Sequence, residues 1–398
     1  MIKGSIKVLT GNIISYPFNI AKVFIIASAL DPAIYGVFNL FTVILSYGLW
    51  CELGILSGMD KTIPFLRGKL NYEEVANVKN VAFTWFNIAY LALAVTLLVV
   101  SFFPFFSHSS EVNVGVRLLS VLVFTSALQN FYLTVLRADK KFGTIGITNA
   151  VLAVSSVLLL LLAYKSVFNK LYATLVALIM AYAISLLFCM LRSKLTFKIN
   201  LSVSRLIRII HTGFPLVIIG IGFTIFTSID RWVIAKYLEK SQLGYYAFGV
   251  SISNLLFGMM SVFAYVIFPL IREKFGKDND LLKFKLYIHK VMALMSYIVA
   301  LTSCLLIASL PFMYKTFFYK YLAGIKSANF IIIGVFFISL ATITGNFLVA
   351  VNKQRVIILD QAIGIILMLT GNYFVIKFTN NITGVAVVNA FLFSLYSI

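Results

Sequence analysis

The sequence predicts an all-α integral membrane protein of about twelve transmembrane helices in two pseudo-symmetric six-helix bundles around a central cavity. Two observations carry this. Of the 398 residues, 61% are hydrophobic and only 12% charged, against about 25% charged in soluble domains, and mean hydropathy is +1.00. Apolar runs also recur along the whole chain, each near the roughly 20 residues a helix needs to cross a hydrocarbon core about 30 Å thick.

Charged residues, Gly and Pro punctuate these runs and place spans near 6–29, 34–58, 80–106, 114–136, 144–164, 171–191, 212–235, 243–270, 290–314, 327–350, 356–376 and 382–398. The N-terminal stretch has a small-x-small Ala27-Ser28-Ala29. Lys22, Asn12, Ser15 and Asn19 interrupt the continuous apolar region that a cleavable signal requires, so an uncleaved first helix is expected.

The formal charge of +20 would suggest nucleic acid in a soluble protein, but topology explains it and no nucleic-acid partner is expected. With the N-terminus in the cytoplasm, 22 of the 33 Lys and Arg fall in cytoplasmic segments and eight in outside loops, which is the positive-inside bias. The outside segments are short, with no room for an extracellular catalytic domain.

Four landmarks repeat between the halves. Pro64-Phe65-Leu66-Arg67 and Pro269-Leu270-Ile271-Arg272 are offset by 205, Pro104 and Pro311 by 207, Gly36 and Gly244 by 208, and Ala138-Asp139-Lys140 and Val351-Asn352-Lys353 by 213. A nearly constant offset argues for duplication. Six helices per half preserve orientation, so the halves should relate by an axis along the membrane normal. The expected organisation is a first bundle at 1–192, a cytoplasmic linker at 193–210 and a second bundle at 211–398. The linker, with Lys194, Lys198, Arg205 and Arg208 among apolar residues, reads as an amphipathic segment lying on anionic lipid.

A charge inside a span costs roughly 2.5–3.5 kcal/mol on insertion scales, so each one is a functional candidate. Lys22 precedes Gly36 by 14 residues and Arg231 precedes Gly244 by 13, which puts one cation on each half at similar depth. Arg117 begins the fourth span from outside and reads either as a substrate contact or as an interfacial anchor. The structural alternatives are outward snorkelling for Lys22 and an ion pair with Asp230 for Arg231. Neighbouring helix residues do not face each other, so Asp230 is expected to meet another helix. Glu52, Asp230 and Asp360 are candidates for ion coupling; solvation near the cytoplasmic end is the alternative for Glu52 and Asp360. Gly54 and Gly58 form a Gly-x-x-x-Gly pair that permits close helix packing.

Cys51, Cys189 and Cys304 are far apart, and His108, His211 and His289 are scattered, so no metal site, disulfide framework or cofactor is expected. No Gly-rich phosphate loop follows a strand, which argues against an ATP-driven pump. Without an outside catalytic domain, an enzyme such as a polysaccharide polymerase or ligase is the weaker rival.

One stretch carries a resemblance. Phe214-Pro215-Leu216, Ile229-Asp230-Arg231-Trp232-Val233-Ile234, Leu243-Gly244-Tyr245-Tyr246 and Phe268-Pro269-Leu270-Ile271-Arg272, echoed at Leu30-Asp31-Pro32-Ala33-Ile34-Tyr35-Gly36, resemble polysaccharide exporters of the multidrug/oligosaccharidyl-lipid/polysaccharide (MOP) superfamily, the Wzx-type O-antigen flippases. The resemblance implies a multi-pass protein of the bacterial inner membrane. It would flip an undecaprenyl-pyrophosphate-linked oligosaccharide repeat unit to the periplasmic leaflet through a cationic cavity by alternating access, driven by ion exchange, in contact with membrane lipids and other polysaccharide assembly proteins. A multidrug or small-molecule cation antiporter of the same superfamily is the rival that topology alone does not separate.

Overall fold

The long apolar runs do form helices, but two of the expected spans are broken near their middles, and both breaks carry candidate residues. The computed structural model describes residues 2–103, 110–165, 169–258, 281–350 and 353–397. Of the sequence landmarks, Pro104, His108, Val351-Asn352 and the stretch from Phe268 to Arg272 lie outside these.

Among the described residues the helices are α1 (Ile2–Ala29), α2 (Pro32–Gly48), α3 (Ile55–Gly68), α4 (Tyr72–Val100), α5 (Ser110–Ala138), α6 (Phe142–Ala163), α7 (Lys170–Ser193), α8 (Val203–Phe226) and α9 (Ile229–Tyr237). They continue with α10 (240–258), α11 (Leu281–Thr316), a 3₁₀ segment at Tyr319–Gly324, α12 (Ile325–Ala350), α13 (Gln354–Thr379) and α14 (Ile382–Tyr396). Span two is α2 plus α3 and span seven is α8 plus α9, so the helices resolve into twelve spans.

Local signals set the ends. Asn71 caps α4 by accepting from the Glu74 N–H at 3.0 Å, Asn169 caps α7 through Leu171 N–H at 2.8 Å, and Asn381 caps α14 through Thr383 N–H at 2.8 Å; each satisfies a donor that the first turn leaves orphaned. Left-handed Lys194 and Asn380 end α7 and α13. The expected loop at 59–79 shrinks to a turn, because α3 runs through Pro64 to Gly68 and α4 begins at Tyr72. Asp139 ties this end together, accepting from Lys79 Nζ at 2.6 Å and Arg67 Nη2 at 2.5 Å.

Two compact units emerge. Unit 1 holds Met1–Leu30 and Leu40–Thr224; unit 2 holds Asp31–Asn39 and Ile225–Ile398. In unit 1, α1 packs along α6 and α6 along α7, with the backbone of Gly146 where a side chain at Gly11 would stand. Helix α5 is the centre, with 61% of its most apolar 18-residue window buried against 17% for α4, which leaves most of the latter's apolar surface for lipid. In unit 2, α12 and α13 pack on α14, and α9 packs on α13.

Unit 1 runs on through the linker to Thr224, and glycine contacts explain why. The backbone of Gly213 in α8 lies against Gly54, and that of Ile209 against Gly58, so the start of span seven packs with unit 1. Gly54 and Gly58 thus serve the close packing expected of them. In unit 2, Gly244 lies on the Pro32 backbone and Gly36 on the carbonyl of Lys240. Pro32 and Gly36 stand 208 residues before Lys240 and Gly244, so the crossing is reciprocal, as expected where a repeat meets its own copy. A Gly244→Val substitution is therefore expected to cost about 1–3 kcal/mol, read as a lower thermal midpoint in detergent. Gly68→Val, where nothing lies within 4 Å of an added carbon, is the control expected to leave the midpoint in place.

The first part of the linker is extended. Residues 194–202 form no helix; they run as an extended strap along α4. Lys198 N–H donates to Asn80 Oδ1 at 3.0 Å and Asn200 N–H to Thr84 Oγ1 at 2.9 Å. Phe197 stacks on Phe83 with centroids 4.6 Å apart and meets Phe131 edge-on at 5.6 Å. The reason is in Lys194-Leu195-Thr196-Phe197-Lys198-Ile199-Asn200-Leu201, where polar and apolar residues alternate with the period of an extended chain.

Candidate functional site

Span seven stops at Phe226, turns through Thr227 and Ser228, and restarts at Ile229. Discontinuous membrane helices expose main-chain groups where binding sites of transporters are commonly built. Here the break puts Asp230 in the first turn of α9, and its carboxylate Oδ1 accepts from the Arg231 N–H at 2.7 Å. The other oxygen, Oδ2, accepts from the Tyr246 hydroxyl at 2.6 Å and from Asn389 Nδ2 at 2.8 Å. Asn372 Nδ2 donates in turn to Asn389 Oδ1 at 3.0 Å. This chain ties α9, α10, α13 and α14 together, and all four side chains are buried.

Arg231 completes the cluster. Nη2 donates to the Thr227 carbonyl at 2.7 Å, an acceptor freed by the break, and Nη1 reaches Asn39 Oδ1 at 3.5 Å, the weak end of a hydrogen bond. Nε lies 3.6 Å from Asp230 Oδ1 and is buried without a hydrogen-bond partner. The expectation that Asp230 turns from Arg231 to another helix is therefore half right. Oδ2 does so, while Oδ1 stays with its neighbour, because residues at a helix start do not obey the facing rule of a helix interior. Arg231 is a paired cation with spare donor capacity. Sequence reading missed Asn372, Asn389 and Tyr246, although an Asn inside Leu369-Thr370-Gly371-Asn372 and another inside Val387-Val388-Asn389-Ala390 were the available signal.

Lys22 lies in α1, five residues after Pro17, which cannot donate to the preceding turn. Its ammonium donates to Asn19 Oδ1 at 3.1 Å, and among the described residues it enters no ion pair. It belongs to unit 1 and Arg231 to unit 2.

Glu52 sits in the second break, residues 49–54 between α2 and α3, where Leu53 and Gly54 take left-handed conformations at φ 52° and 101°. Its side chain is 3% exposed, and Oε2 accepts from the Leu56 N–H at 2.6 Å, capping α3. Two further groups of the break are satisfied. Tyr90 donates to the Leu49 carbonyl at 2.8 Å, and Trp50 Nε1 to Thr224 Oγ1 at 2.9 Å, with the Trp50 ring over Gly220. Glu52 is thus a buried cap, and the solvated alternative is set aside.

Arg117 lies 4.3 Å from the centroid of the Phe102 ring, and its Nε donates to Ser101 Oγ at 3.3 Å. That is the geometry of an anchor at a span's end. Asp360 is exposed on α13, next to buried Gln361, so the structure does not bring it to the Asp230 cluster.

Glu52 gives two predictions by chemistry. Glu52→Gln keeps an acceptor for the Leu56 N–H but cannot exchange a proton, so if Glu52 couples transport, the pH dependence of transport is lost while the protein level stays normal. Glu52→Leu removes the cap and is expected to destabilise by about 0.5–2 kcal/mol, measured by thermal unfolding.

Comparison with known proteins agrees with this architecture. The family described as "Polysaccharide biosynthesis protein" matches residues 25–319. No curated protein matches the chain. An inward-facing multidrug resistance MATE family transporter of the MOP superfamily superposes with TM-score 0.80 at 13% identity, covering 96% of this chain and 92% of that one. An outward-facing one gives 0.73 at 15% identity, covering 99% and 92%. A variant of the Vibrio cholerae MATE transporter VcmN gives 0.72 at 14%, covering 99% and 93%. Identities this low speak for the fold alone. The match over residues 25–319, on twelve spans with the fold of MOP-superfamily transporters, makes this multi-pass membrane chain a member of the polysaccharide biosynthesis protein family.

Proposed function

We propose that the protein is a flippase that moves undecaprenyl-pyrophosphate-linked oligosaccharide repeat units from the cytoplasmic to the periplasmic leaflet of a bacterial inner membrane by alternating access, with its N-terminus in the cytoplasm. Lys22 carries this reading. It is a cation inside a span with no counter-ion among the described residues, and such a charge persists where an anion visits it. The pyrophosphate of a lipid-linked sugar is such an anion. Arg231, with a donor to spare at Nε, supplies the fork geometry that suits phosphate oxygens. Arg117 acts as an outer anchor. Of the carboxylates, buried Glu52 and Asp230 are the better-placed coupling groups, whereas Asp360 faces outward.

The rival is a small-molecule cation antiporter, favoured by the fold likeness to multidrug transporters. A cationic drug would meet unfavourable Coulomb cost at Lys22 in one unit and, separately, at Arg231 in the other, so the interior charge of each favours the anionic lipid-linked substrate. Deleting the gene and complementing with the intact chain separates them. The flippase reading expects loss of surface glycan with repeat units trapped on the cytoplasmic leaflet; normal glycan with new sensitivity to cationic drugs supports the antiporter.

A further inference from the structure

We propose that the strap between α7 and α8 is a binding surface for anionic phospholipid headgroups of the cytoplasmic leaflet. The side assignment rests on the orientation proposed above. The contact itself does not, because any bilayer would report it.

The strap is fixed in place, yet its outer surface is unpartnered. Phe197 is held by Phe83 and Phe131, and two strap N–H groups are held by Asn80 and Thr84. Lys194, in the left-handed conformation that ends α7, turns the chain onto this path. Pinned this way, the strap presents Ile199 at 81% exposed and Leu201 at 60%, close to Leu191 at 69% in the last turn of α7. Three exposed apolar side chains so close together are not a surface suited to water.

The exposed cations alternate with them. Arg192, Lys194 and Lys198 are exposed and enter no ion pair among the described residues. The neighbouring Arg205 differs, since its guanidinium holds Glu74, with Nε to Oε1 at 3.0 Å and Nη2 to Oε2 at 3.2 Å. Glu74 is thus already used by Arg205, and among the described residues no carboxylate pairs with Arg192, Lys194 or Lys198. Apolar side chains at acyl depth interleaved with Lys and Arg at headgroup depth fit a leaflet carrying anionic lipid. A soluble acidic protein would satisfy the cations and leave Ile199 and Leu201 wet.

The site has a consequence for transport, because the strap runs directly into α8. That helix packs through Gly213 against Gly54 and ends at the break before Asp230 and Arg231. A lipid seated on the strap would hold the cytoplasmic start of this helix at a fixed depth.

The test is fluorescence quenching in vesicles. Ile199→Trp is introduced, the signal of the parent's three tryptophans is subtracted, and the protein is reconstituted with brominated phosphatidylglycerol or brominated phosphatidylcholine. Half-maximal quenching is expected at a fraction of brominated phosphatidylglycerol on the order of tenfold lower than of brominated phosphatidylcholine, given what each basic residue gains near an anionic surface. Adding Arg192→Gln, Lys194→Gln and Lys198→Gln is expected to abolish that preference while quenching persists. Equal quenching by both lipids, no quenching by either, or a preference that survives the three substitutions would each overturn the proposal. None of these readouts involves substrate, so a failed transport assay alongside the expected quenching would count against the flippase reading alone.

Discussion

Asp230→Leu is expected to destabilise the protein by about 3–5 kcal/mol, the cost of removing one member of a buried ion pair. The substitution strips the Tyr246 hydroxyl and Asn389 Nδ2 of their shared acceptor and leaves Arg231 buried without its carboxylate. Asn389→Leu leaves the carboxylate in place and breaks only the bonds of a neutral amide, the one it donates to Asp230 and the one it accepts from Asn372, so about 1 kcal/mol is expected, within the range for hydrogen bonds between membrane helices. Thermal unfolding in detergent checks both. Equal midpoints for the two variants would mean that charge pairing adds nothing to the cluster.

Arg231→Ala is expected to lower transport at least about tenfold, equivalent to about 1.4 kcal/mol, while the protein still inserts and folds. The asymmetry with Asp230 follows from geometry. Without the guanidinium, Asp230 keeps three hydrogen-bond donors, the Arg231 N–H, Tyr246 and Asn389. The carboxylate is therefore not stranded, whereas an unpaired guanidinium would be. Arg231→Lys retains charge but not the planar fork, so it is expected to restore only part of the activity. Surface glycan normalised to protein level measures the effect, and full glycan with Arg231→Ala would remove Arg231 from the substrate path.

Several features of this fold were legible because they depend on local pattern. Apolar runs bounded by Lys, Gly and Pro locate the spans, and Gly36 and Gly244 mark the reciprocal crossing. The helix breaks were harder to see. The stretches 34–58 and 212–235 are apolar apart from Glu52, Asp230 and Arg231, and hydropathy averages over breaks as short as those at 49–54 and 227–228. Yet Ser228 followed by Asp230 has the composition of a helix start, and Gly54 supplies the left-handed residue at the other break. Asn372 and Asn389 were missed for a different reason: nothing near either in sequence says that Asn389 meets Asp230 across 159 positions or that Asn372 meets Asn389. The strap's path was legible too, since polar and apolar residues alternate along 194–201 with the period of an extended chain.

The central claim is that the protein carries an anionic lipid-linked saccharide across a bilayer, and reconstitution tests it most directly. Purified protein is placed in vesicles with a labelled prenyl-pyrophosphate oligosaccharide, and the fraction accessible to an enzyme added outside is followed with time. The account predicts that access rises beyond the fraction initially exposed, that it requires the protein, and that Lys22→Ala and Arg231→Ala slow it. Access that stays at the protein-free level with intact protein, while the same vesicles exchange a cationic drug, would contradict it.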